Sequence, residues 1–250
     1  MISLILLVTI TLVSGHPPIR PFIHEEMGSM AEELDSKLTS KPMLRIIKPL
    51  DDVTVMAGET VTFQCDALFI PSATIYWEKN GVRVQGDKEL NLKEKMLNLG
   101  KPIVESGIVT STLTIPCADA HDSGKYQCIA YTGHSSVKSS AELTVEGRSQ
   151  CKSSHRTPLA ITQFTDSRFE MEGNTATLLC RTNQFAERTW TFDEKPIDFA
   201  SGRYTIQPNG DLVINNIDWP DMGTYICTAS NEHGEESVET FLYPTKKKTL

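Results

Sequence analysis

One stretch of this chain is written twice. Leu113-Thr-Ile115 is followed by Asp122-Ser-Gly124-Lys-Tyr126-Gln-Cys128, and Leu212-Val-Ile214 by Asp221-Met-Gly223-Thr-Tyr225-Ile-Cys227, with identical spacing from Ile to Asp, Gly, Tyr and Cys. Each copy has an upstream Cys and Trp: Cys65 and Trp77 for the first, Cys180 and Trp190 for the second. Leu-x-Ile alternates as a strand does. Asp-x-Gly-x-Tyr turns the chain, and a Tyr two residues before a Cys can return its hydroxyl to the turn backbone.

These parts, in this order, describe an immunoglobulin-like sandwich. The later Cys crosses from one sheet to the earlier Cys on the other, and the Trp packs on the bridge. Val61, Phe63 and Cys65, and likewise Ala176, Leu178 and Cys180, alternate as the partner strand requires. The expected fold is therefore all-β, with two tandem immunoglobulin-like β-sandwiches of the C2-type or I-set kind. The expected core is Trp77, Tyr126, Trp190 and Tyr225, and the expected bridges are Cys65–Cys128 and Cys180–Cys227. Each bridge closes a loop of about 50 to 65 residues and stabilises its domain by roughly 4 kcal/mol in the chain-entropy account.

The two copies differ in one respect. Leu113 follows Trp77 by 36 positions, whereas Leu212 follows Trp190 by 22. The second copy is compact: Asn209-Gly210 lies between Tyr204-Thr-Ile206 and Leu212-Val-Ile214, a hairpin signal. The first carries a central insert, roughly 86–107, rich in Leu and Met. Such residues either extend the core or stay exposed as an adaptable protein-binding cluster. The candidate binding surface is Leu92, Met96, Leu97 and Leu99, with Lys93, Glu94 and Lys95 as its charged rim. The second domain is then a spacer or a second contact.

Six cysteines allow fifteen pairings. The repeat accounts for two pairs and leaves Cys117 and Cys151, which fall at the same pole of the first sandwich. A third bridge, Cys117–Cys151, is expected there. A rival exists, since Cys117-x-x-x-His121 and Cys151-x-x-x-His155 hold the ligand types of a zinc site. Vicinal thiols of a secreted chain oxidise, however, so neither metal nor cofactor is expected.

Residues 1–15 are apolar and too short to span a membrane. They read as a signal peptide cleaved after Gly15. Residues 16–42 read as a flexible segment, in which Met27, Met30, Leu34 and Leu38 could line a short helix. The domains follow at 43–147 and 158–244, joined by a linker at 148–157, and 245–250 is a basic tail. Beyond the leader no apolar run reaches membrane length, so a secreted product without membrane insertion is expected. The net charge of −8 argues against nucleic acid. No nucleophile motif or phosphate loop is present, so no enzyme is expected.

The chain resembles the secreted two-immunoglobulin (zwei-Ig) proteins of nematodes and is similar to insect secreted insulin-binding two-Ig proteins. The resemblance rests on Leu113-Thr-Ile-Pro-Cys117, Cys151-Lys-Ser-Ser-His155, Thr165-Asp-Ser-Arg-Phe-Glu-Met171, Asn209-Gly-Asp-Leu-Val-Ile214, Trp219 before Asp-Met-Gly-Thr-Tyr, and Glu239-Thr-Phe-Leu-Tyr-Pro244. It implies a neuronal extracellular protein that keeps axons of the ventral nerve cord in position through a cell-surface receptor, adhesion molecule or matrix component. The alternative it implies is a soluble binder of insulin-like peptides.

Overall fold

The alternating strands on either side of each Cys pair close into sandwiches, and the two sandwiches share a sheet. The computed structural model describes residues 44–69, 73–88, 90–98, 101, 102, 104, 106–131, 136–148 and 158–246. The leader, the segment up to residue 43, most of the linker and the end of the basic tail lie outside the described residues, as do Leu99 and Cys151.

The first domain comprises β1 (Arg45–Lys48), β2 (Val53–Met56), β3 (Val61–Phe69), β4 (Thr74–Lys79), β5 (Val82–Gln85), a short helix α1 (Leu92–Leu97), β6 (Ser106–Ile115), β7 (Gly124–Tyr131) and β8 (Ser136–Glu146). Strands β2-β8-β7-β4-β5 form one sheet. Its inner face meets that of β1, β3 and β6 over Val61, Phe63, Trp77, Leu113 and Leu143. Cys65 and Cys128 are bonded, with Cα atoms 6.4 Å apart. Trp77 is fully buried beside them, and its indole N–H donates to Ser111 Oγ at 2.9 Å, so the ring leaves no polar atom unpaired. The Tyr126 hydroxyl donates to the Asp122 carbonyl at 2.8 Å.

The second domain repeats this plan with β9 (Ile161–Met171), β10 (Ala176–Leu178), β11 (Cys180–Thr182), β12 (Glu187–Phe192), β13 (Lys195–Pro196), β14 (Tyr204–Ile206), β15 (Leu212–Ile214), β16 (Gly223–Asn231) and β17 (Gly234–Thr245). Cys180 is bonded to Cys227. Trp190 donates to the Gly210 carbonyl at 3.0 Å, and Tyr225 to the Asp221 carbonyl at 3.1 Å. Strands β14 and β15 pair as a hairpin. Gly210 in its turn has φ +96°, which a side chain tolerates poorly.

In an ordinary immunoglobulin sandwich the strand equivalent to β6 has a neighbour, strand D, from its own domain. Here, among the described residues, the insert supplies no such strand. The free edge of β6 pairs antiparallel with β9 instead, from Ser106 opposite Phe169 to Ser111 opposite Gln163. Among the described residues the result is one nine-stranded sheet running β1-β3-β6-β9-β17-β16-β12-β13, with β11 also on β9. The register slips between Ile108 and Val109, which skips Asp166 and bends the ladder where the domains meet. At Gly107 the two backbones approach so closely that a β-carbon would lie 2.8 Å from the Ser167 carbonyl oxygen. Leu179, from the second domain, is buried in the core cluster of the first.

Candidate functional site

The junction between the domains is held by the insert. Asn91 caps α1, its side chain accepting from the Glu94 amide. This first turn aims Glu94 at β9, where it is 3% exposed. The Arg168 guanidinium donates to Glu94 Oε1 at 2.6 Å and to Glu170 Oε2 at 2.7 Å. Arg168 and Glu170 are two apart on β9 and so share a face. Glu170 also accepts from the Val104 amide at 3.0 Å and from Asn174 Nδ2 at 3.0 Å. The helix ends on a second polar contact. Asn98 donates to the Thr175 carbonyl and accepts from the Thr175 amide, both at 2.7 Å, as a backbone strand would. Lys101 adds a bond to the Gly173 carbonyl at 3.0 Å.

One guanidinium between two buried carboxylates is a site that must stay assembled. The ions lost their water on burial, and each depends on the others for compensation. Burial outweighs the attraction of Arg168 and raises the Glu94 carboxyl above its ordinary value, with Glu170 adding to the rise.

The charged rim expected around the insert is therefore corrected at Glu94. It faces the second domain rather than solvent, because Arg168 waits there and a carboxylate paired with a buried guanidinium is better placed than one at the rim. The second domain is likewise more than a spacer, since it supplies the far wall of this network and a strand of the shared sheet. Of the four residues of the candidate surface, Met96 is 74% and Leu97 44% exposed. Lys93 beside them is exposed as well. Leu92 opens the helix, its side chain lies outside the described residues, and Leu99 lies outside them altogether. Cys117 is disulfide-bonded. No described residues group as ligands of a metal ion.

Sequence reasoning missed Arg168, Glu170 and Asn98. The signal available was limited to two facts: Arg168 and Glu170, of opposite charge, stand two apart and so share a strand face, and the insert held an acid among its apolar residues.

On the other side of the junction, near the start of β9, lies a cleft of about 520 Å³ between β5 and the strands β9 and β11. Among the described residues no helix is long and apolar enough to cross a membrane.

The immunoglobulin I-set domain family matches residues 44–145, and a second immunoglobulin domain family matches residues 160–231. Zwei Ig domain protein zig-3 of Caenorhabditis elegans is 50% identical over 246 residues, covering 98% of this chain and 98% of that protein. Zwei Ig domain protein zig-4 of the same organism is 46% identical over 96% of this chain and 95% of its own length. Among solved structures, neural ectodermal development factor IMP-L2 superposes with a TM-score of 0.64 at 22% identity, over 83% of this chain and 97% of that one.

Proposed function

Because the chain belongs to the zwei-Ig domain proteins, matching them along nearly its whole length, we propose that it is a secreted extracellular binding protein of the nervous system. In this reading it holds axons of the ventral nerve cord in place by engaging a cell-surface receptor, adhesion molecule or matrix component. Disulfide-bonded sandwiches suit an oxidising, extracellular setting, and both immunoglobulin domains favour binding over catalysis.

The observation that carries the reading is the presentation of Met96 and Leu97. Both are exposed apolar side chains, on a helix too short to hold its own shape. The Glu94–Arg168 and Asn98–Thr175 contacts fix that helix to the second domain. An apolar pair held rigid at a domain junction loses little entropy on docking. The cysteines left over from the repeat, Cys117 and Cys151, belong to the same proposal, as a bridge tying the linker to the first domain.

The test is a titration of the purified chain, wild type and Met96→Asp/Leu97→Asp, against neuronal surfaces and separately against insulin-like peptides. Saturable neuronal binding that falls at least tenfold in the variant, at unchanged melting temperature, supports the reading. Equal binding by both proteins removes this surface. Saturable binding of the peptides alone favours the insulin-like ligand.

A further inference from the structure

The loop between β11 and β12 displays a side chain that the fold does not use. Phe185 is 90% exposed, and among the described residues no large apolar side chain is more so. Its backbone is nevertheless pinned. The Thr182 hydroxyl donates to the Gln184 carbonyl at 2.6 Å, and Asn231 Nδ2 donates to the Phe185 carbonyl at 2.9 Å. Asn183 exchanges two bonds with the Ala160 backbone, both at 3.0 Å, and donates to the Pro158 carbonyl at 2.8 Å. Ala186 is buried, and its carbonyl accepts from Arg188 at 3.0 Å. A phenyl ring held out on so fixed a loop gains by leaving water and loses little freedom on docking.

The charges beside the ring restrict what it can dock on. Glu187 opens β12 and Glu235 lies on β17, each directly opposite Ser230 of β16. The two carboxylates therefore share a face, roughly 10 Å apart, and both residues are exposed. Glu232, in the turn between β16 and β17, has its side chain 82% exposed. It adjoins Asn231, the residue that holds the Phe185 carbonyl, so ring and acids occupy one end of the second domain. The cations among them are Arg188, bonded to Thr182 Oγ1 and the Ala186 carbonyl, and His233, 3.4 Å from Glu232. An acidic rim repels nucleic acid, sulfated glycans and anionic bilayers. It also disfavours a second copy of this chain, whose net charge is −8. A protein surface of positive charge is what complements it.

We propose that the Phe185 loop docks a partner protein, the ring entering an apolar pocket bordered by lysine or arginine side chains that face Glu187, Glu232 and Glu235. The site is separate from the Met96–Leu97 surface. Asn183 lies beside the start of β9, through Ala160, whereas Glu94 meets Arg168 near its end. Either site can exist without the other.

The experiment displays random disulfide-constrained peptides on phage, depletes the library on Phe185→Ser, and selects the remainder on the wild-type chain. The peptides recovered should be richer in Lys and Arg than the library and should carry apolar residues among them. Synthetic versions should bind Phe185→Ser about thirtyfold more weakly than wild type, the loss expected of an interface anchor. Their affinity should fall several-fold in Glu187→Gln/Glu235→Gln and on raising salt from about 50 to about 500 mM. It should be indifferent to Met96→Asp. Phe185→Ser itself should melt with the wild type, because the ring supports no core. Failure of any peptide to survive depletion overturns the proposal, as does recovery of neutral or acidic peptides. A fall in the melting temperature of Phe185→Ser gives the ring a structural role and overturns it too. So does reversible dimerisation in sedimentation that Phe185→Ser abolishes, since the occupant is then a second copy.

Discussion

Replacing Arg168 with Met removes the cation between Glu94 and Glu170 and keeps most of the side-chain volume. Both carboxylates are almost wholly buried, at 3% and 0% exposed, so neither regains its water. Breaking a buried pair by deleting one partner costs about 3–5 kcal/mol. Glu170 keeps its bonds from Val104, Met171 and Asn174, which places the loss on Glu94 and on the helix it anchors. At about 2–4 °C per kcal/mol, the scale for folded units of about 150–250 residues, this corresponds to a fall in melting temperature of roughly 6–20 °C. Differential scanning calorimetry measures it. A triple variant, Glu94→Gln/Arg168→Met/Glu170→Gln, removes the orphaned charges and should recover most of the loss. A fall worth less than about 1 kcal/mol in the single variant, the range of exposed pairs, would refute the buried-network reasoning, as would a triple variant no better than the single one.

The Glu94 carboxyl, raised by burial, makes the same network depend on pH. A raised carboxyl contributes stability below its unfolded value, near 4.5, and loses that contribution as pH rises through the folded value. Glu94→Gln should therefore gain stability relative to wild type as pH is raised, and parallel melting curves across pH would count against it. Trp77→Ala or Trp190→Ala should each cost about 3–5 kcal/mol by emptying the space beside a bridge, and unchanged melting of both variants would show the cores misassigned. Non-reducing peptide mapping should join Cys117 to Cys151, and free thiols at both positions with bound zinc would overturn that bridge.

Both sandwiches were legible in the sequence because their signals are local or strictly spaced. Tyr126 and Tyr225 announce their corners within a few residues, and Asn209-Gly210 announces its hairpin. The junction was not legible, because nothing near β6 says what its outer edge pairs with, nor that this neighbour lies over 50 residues ahead in β9. The insert showed apolar content but not its direction. Glu94 looked like a rim charge, since a helix as short as α1 takes its orientation from what it docks on. Its partner, Arg168, was visible in the Thr165–Met171 run only as a mark of resemblance. Met96 and Leu97 stood out for the opposite reason, as large apolar residues among lysines.

The central claim is that β6 and β9 join the two immunoglobulin domains into one sheet. Native-state hydrogen exchange of the full chain, read at the β6 amides between Gly107 and Ser111, tests it most directly. Both edges of β6 are paired in this structure, with β3 and with β9, so amides on either edge should be protected as strongly as those of β7 in the first core. Fast exchange of the amides facing β9, beside slow exchange of those facing β3, would mean that the domains are merely strung together, and would contradict the account.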